Sequence, residues 1–265
     1  MRHLIKAEVR RLLATRMWSG LLLAAVLIGG GMMGAMALVG PENFDPPLPG
    51  LDTETGIRSI LGILGYTAFV PAAAGTLAIT SEYRHRTAAV TFLFAPRRWQ
   101  VLAAKLTTYG VAGLAYGLIL AGTAATALFT VAATRGISLG LPAGTVLALL
   151  ARIGLAMVVY LLIGVGVGAL LRNQVTALCV VIGYLYIGEP LLMMIPGVST
   201  LYPVLPGGAT ASLTDFTYLT DAMSQEVGST AVQLLPPAAG ALLLTAYALT
   251  ASLIAVIVPM RRDIP

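Results

Sequence analysis

SEYRHRTAAVTFLFAPRRWQVLAAK, residues 81–105, carries five of the chain's 16 lysines and arginines, and it lies between two runs that are almost uncharged for twenty residues or more. Its centre, TAAVTFLFA at 87–95, is apolar and compatible with a helix. Pro96 ends that stretch, because proline disfavours the helical conformation in the residue before it. Glu82, Arg84 and Arg86 precede the centre, and Arg97 and Arg98 follow it. The segment is far longer than a connecting turn needs. What the oily runs on either side of it are decides the fold.

Of the 265 residues 58% are hydrophobic and 10% charged, against about 25% charged in a soluble domain. That balance fits a polytopic membrane protein. A membrane helix needs roughly 20 predominantly apolar residues. Six runs qualify, at about 18–39, 58–80, 106–133, 144–170, 175–195 and 236–258. The expected fold is therefore all-α, one domain with six transmembrane helices. Basic residues before the first run and Ala35-Met36-Ala37 near its end imitate a signal peptide. The apolar stretch is too long for one.

The basic residues orient the spans. Arg2, Lys6, Arg10, Arg11 and Arg16, the five in 81–105, Arg172, Arg261 and Arg262 all fall on one side of a six-span layout. Arg58 and Arg135 fall on the other, with Glu42, Asp45, Asp52, Glu54, Asp215, Asp221 and Glu226. Both termini and the 81–105 segment are thus expected in the cytoplasm. Charge placed this way is a topology signal rather than a nucleic-acid footprint.

On the expected outer side, residues 40–56 are rich in Pro, Gly and acids and read as a solvated loop. Residues 196–235 are semi-apolar and broken by Pro and Gly, which predicts a re-entrant or interfacial element whose free backbone groups protein must bury. At the amino terminus, Ile5, Val9, Leu12 and Leu13 keep the spacing of a helix stripe while Arg2, Lys6 and Arg10 line another face. This predicts an interfacial helix over 2–15. The plainer reading is a positive flank that begins the first span. No internal repeat is evident.

Several chemistries find no footing. There is no G-x-x-x-x-G-K-[ST], and the only lysines, Lys6 and Lys105, follow no glycine, so the usual phosphate-cradling loop cannot form. His3 and His85 both lie on the cytoplasmic side, leaving no Ser–His pair within the spans and no H-E-x-x-H. One cysteine, two distant histidines and scattered acids form no metal-ligand set. Cys179 reads as a small packing residue. No catalytic, cofactor or metal site is expected in this chain.

Two charges interrupt the apolar runs: Arg152 in the fourth and Glu189 in the fifth. A charge at mid-bilayer costs about 2.5–3.5 kcal/mol, so each should face protein or a wet cavity. Both fall in the outer half of consecutive antiparallel spans, which makes them a candidate intramembrane pair. A substrate-pathway element, a structural ion pair and interfacial snorkelling all fit. Gly30-x-x-x-Gly34, Gly113-x-x-x-Gly117 and Gly164-x-Gly166-x-Gly168 suit close helix contacts.

A short amphipathic helix with charged ends at the cytoplasmic face can dock into a groove of a soluble partner. A loop that serves topology alone would not require the apolar centre. Here the chain resembles the ABC-2-type export permeases of bacteria, whose cytoplasmic loop commonly shows E-[YF]-R-x-x-T, an apolar middle, P-x-R and then A-K-L. This sequence has Glu82-Tyr83-Arg84 with Thr87, Pro96-Arg97-Arg98 and Ala104-Lys105-Leu106. GVGVGALLRNQVTAL at 164–178 and the broken segment before the last span extend the likeness over nearly the whole chain. One departure is Arg86, where the family often has glycine.

The resemblance implies a half-transporter in the cytoplasmic membrane. Two copies, or this chain and a similar one, would enclose the pathway, gated outside by 196–235. Each would sit on a separately encoded ATP-binding subunit that carries the ATP and Mg. Glu82, Arg84, Arg86, Thr87, Phe92, Phe94, Arg97 and Arg98 would form the coupling surface, with the helix around 84–96 moving as the ATPases close. The amino-terminal helix would brace the ATPase. An ion-gradient-driven transporter and a non-transport membrane sensor are the competing readings; the first would be expected to show repeats and buried ionisable groups, of which Glu189 is one.

Overall fold

Glycines at 164, 166 and 168 decide how the bundle is assembled, because they let one helix be approached from opposite sides. The computed structural model describes residues 1–85, 87, 98–195, 197–217, 220 and 233–257. In chain order the main helices are α1 (Arg2–Ala14), α2 (Met17–Val39), α3 (Glu54–Arg84), α4 (Arg98–Arg135), α5 (Ala143–Leu171), α6 (Gln174–Met193), α7 (Pro206–Thr214) and α8 (Pro237–Ile257). The described residues are helical or irregular, with no strand among them. Six helices, α2 to α6 and α8, are long and apolar enough to cross a membrane.

α5 is the central post, packed by α3, α4 and α8. Gly164 and Gly168 are one turn apart and face α3. A Cβ at Gly164 would lie 2.0 Å from the Ala72 carbonyl oxygen, and one at Gly75 would lie 2.0 Å from that of Leu161. Gly166, two residues on and so about 200° round the helix, faces Ala251 and Ser252 of α8. Gly154 meets Gly117 of α4 backbone to backbone. Where lipid gives no hydrophobic drive between helices, contacts this close supply the packing energy. Gly113 and Gly117 of the second motif do approach α5; Gly30 and Gly34 make ordinary contacts with α4, and the tight residue of that region is Gly29, against Leu120 and Thr123.

Three spans bend. α2 widens to a π turn at Leu27–Met32, where Gly29 meets α4. α3 tightens to a 3-10 turn at Tyr66–Ala68 and α6 widens to a π turn at Tyr184–Gly188. Each of the last two lies one turn before a proline, Pro71 and Pro190. A proline ring clashes with the carbonyl four residues back and donates no N–H, which explains both bends.

Two helices outrun the apolar windows that mark them, while the other four match theirs to within two residues. α3 begins four residues before the expected 58 and continues to Arg84; the third span begins at Trp99 rather than 106. Residues 81–84 and 98–105 are therefore helix, and the connection is shorter than 81–105. The expected helix at 87–95 lies almost wholly outside the described residues, as do Arg86, Phe92, Phe94, Arg97 and the side chain of Arg98. α1 is a helix of its own, separated from α2 by an extended Thr15, and does not simply begin the first span. Its inward residues are Glu8 and Leu12, while Val9 and Leu13 of the expected stripe face outward.

One end of the bundle collects α1, the end of α3 and the start of α4 and is basic; the other collects residues 40–53 and 136–142 and is acidic. The 40–56 segment is less solvated than expected, since Leu48 and Leu51 are buried and Gly140 donates to the Leu51 carbonyl at 2.9 Å. Both arginines at that end are paired: Arg58 with Glu54 and Asp215, and Arg135 with Glu42 at 3.9 Å and with the Ala37 carbonyl at 3.0 Å. Cys179, expected to pack inside, is exposed on the outer face of α6.

Candidate functional site

Two clusters of polar groups stand out in this apolar bundle. The first lies at the basic end, where α1, α3 and α4 meet. Lys105 is 1% exposed. Its Nζ donates to Glu8 Oε2 at 2.7 Å and to Glu82 Oε1. Arg11 Nη1 donates to Glu8 Oε1 at 3.0 Å and to Glu82 Oε1. Two acids and two bases alternate, so no charge is buried alone. That balance is needed, since an unpaired charge in such a place would be neutralised or driven to water.

The cluster has a structural consequence. Glu82 stands near the end of α3 and Lys105 two turns into α4, so their bond ties together the two helices that flank the connection. Glu8 and Arg11 fasten α1 to the same point. Glu82, expected on a coupling surface, is turned inward instead. Arg84 reaches across to Gln174 Oε1 at 3.4 Å, and Thr87 Oγ1 lies 3.4 Å from the Glu82 carbonyl. Arg172 stacks 5.5 Å over the Tyr83 ring, linking the α5–α6 turn to the end of α3.

The second cluster surrounds Glu189. The residue is 3% exposed. Both carboxylate oxygens accept the Gly207 N–H, at 2.9 and 2.7 Å, and the Tyr184 hydroxyl interacts with the same group. Gly207 is in the first turn of α7, which the Leu-Pro-Gly-Gly sequence sets up: Pro206 fixes its own φ and has no N–H to satisfy there. The glycine also leaves room, because a Cβ at 207 would fall 2.0 Å from Glu189 Oε2. No ion pair joins Glu189 to Arg152 among the described residues; the candidate pair is replaced by a carboxylate on a helix end.

α7 is held along its length. The Tyr160 hydroxyl bonds Thr210 Oγ1 at 2.8 Å and the Pro206 carbonyl at 3.2 Å, from a position roughly 25 Å along α5 at 1.5 Å per residue. Gly240 of α8 packs against Ala209 and Ser212. Asp215, left-handed at φ 58°, ends the helix and pairs with Arg58. The semi-apolar segment thus folds a short helix back among α3, α5 and α8.

Between α3, α5, α6 and α7 lies a cavity of about 80 Å³, lined by Tyr66, Tyr160, Tyr186, Glu189, Tyr202 and Phe216 among others. The bends of α3 and α6 face each other here. Tyr186 donates to the Tyr66 carbonyl, and its ring lies 5.7 Å edge-on to Phe69 and 6.4 Å from Tyr66. Phe216 meets Tyr66 edge-on at 5.9 Å.

Sequence reasoning found Glu189 but not its partner, and found Glu82 but not the ion cluster. Glu8 is the single acid among the basic residues of 2–16, and it lies one turn before Leu12 on the same face. That oddity was the available signal. No protein-family profile matches the chain, and no curated protein matches it.

Proposed function

We propose that this chain is the membrane permease subunit of an ATP-driven exporter of the ABC-2 type. It works as a dimer in a bacterial cytoplasmic membrane, with both termini inside and a separate ATPase bound beneath each copy. The observation that carries the reading is the Glu82–Lys105 bond with its Glu8 and Arg11 partners. A cytoplasmic segment whose two ends are fastened to each other and to α1 moves α3 and α4 together when pushed. The E-Y-R-x-x-T and P-R-R motifs lie at or next to that segment, and Phe92 and Phe94 are its aromatic anchors for a docking groove. α1 braces the same partner, with Val9 and Leu13 facing outward. On this reading α7 is the re-entrant outer gate, pinned by Glu189 at one end and Arg58 at the other.

The test is Phe92→Glu with Phe94→Glu. Membrane insertion should be unchanged, while the ATPase retained on the extracted chain falls at least tenfold. Full retention would place the apolar centre in lipid. A buried Glu189 in a cavity is what a gradient-driven transporter would also use, and that second reading requires transport to collapse with the ion gradient rather than with ATP.

A further inference from the structure

We propose that the Glu189 cavity binds the ammonium head of a lipophilic amine that enters from the side of the bundle. A carboxylate offers about four acceptor positions. The Gly207 N–H and the Tyr184 hydroxyl leave at least one of them for another donor. None of the described residues lining the cavity is Lys, Arg or His, so among them an ionised Glu189 meets no cation. The lining adds the rings of Tyr66, Tyr186 and Phe216, whose faces attract a cation, together with the hydroxyls of Tyr160 and Thr210.

Size and access restrict the ligand further. A cavity of about 80 Å³ is roughly half the 150 Å³ that holds a benzene ring. It takes an ammonium group and its first carbons, not the body of a large molecule. Tyr66, Phe69 and Tyr186 are each more than a third exposed on the outside of the bundle, at the facing bends of α3 and α6. Around them the exterior is aliphatic, with Ile187 and Leu191 on α6. A chain attached to the bound head would run out between those rings along an apolar surface. Taken as cargo, this ligand rests on the exporter reading; taken as a bound ligand, it does not.

The experiment uses the isolated chain in lipid nanodiscs without any ATPase, so failure of the exporter reading would leave its result intact. Octylammonium and 1-octanol are titrated calorimetrically, with empty nanodiscs as the blank. Wild type should bind octylammonium saturably and octanol not at all. Glu189→Gln, which keeps a carbonyl for Gly207, should bind octylammonium at least tenfold more weakly. Tyr186→Leu, which leaves the carboxylate in place, should weaken it severalfold and guards against misfolding of the first variant. Equal binding of the amine and the alcohol, equal binding by wild type and Glu189→Gln, or no saturable binding to a monodisperse wild-type chain would each overturn the proposal.

Discussion

Lys105 is the residue on which most charge depends. Replacing it with Met leaves Glu8 and Glu82 buried together with, among the described residues, the partly exposed Arg11 as their remaining cation. Breaking a buried pair from one side costs about 3–5 kcal/mol, whereas replacing all members with apolar or neutral groups is often neutral. Lys105→Met should therefore lower the unfolding midpoint in mixed micelles strongly. The triple variant Glu8→Gln, Glu82→Gln, Lys105→Met should recover more than half of the loss, since no carboxylate is then left buried without its cation. Equal loss in both would mean the cluster is not an energetic unit. Asp215 gives a backbone test. At φ 58° a Cβ is disfavoured, so Asp215→Gly should be about 1 kcal/mol more stable than Asp215→Ala by the same assay, although both lose Arg58. Sequence reasoning could see that Lys105 and Glu82 were charges near span ends. It could not see that they meet, because the 22 residues between them hid the closure and Glu8 joins from a helix 74 residues earlier than Glu82.

Helix contacts test the second scale. Gly164 and Gly122 are both mid-helix glycines, yet a Cβ at 164 would strike the Ala72 backbone while one at 122 would meet nothing within 4 Å. Gly164→Ala should cost about 1–3 kcal/mol through overpacking. Gly122→Ala should be neutral or gain up to about 1 kcal/mol from helix propensity. Similar effects at both sites would contradict the close α3–α5 packing. Apolar run length revealed all six long helices, because burial in lipid demands it. Four of the six came within two residues at each end, while α3 and α4 run on toward their connection because Glu82 and Lys105 remain helical once they satisfy one another. The bends of α3 and α6 were also missed: hydrophobic periodicity does not report a kink, although Pro71 and Pro190 stood in plain view. α7 could be read as a broken, semi-apolar segment, but its anchors at Tyr160 and Glu189 come from distant helices.

The whole molecule has a basic and an acidic end, and the account places the basic end in the cytoplasm. In a Cys179→Ser background, a membrane-impermeant maleimide should label Asp52→Cys in intact cells and His3→Cys only after permeabilisation. The reverse pattern would invert the topology and remove α1 from the side proposed for an ATPase. The central claim is that this chain works on a separate ATPase, and the most direct measurement is purification from its native membrane in mild detergent with mass spectrometry of what accompanies it. A soluble protein with a phosphate-binding loop should accompany the chain in one-to-one ratio. Reproducible recovery of the intact membrane protein without such a partner would contradict it.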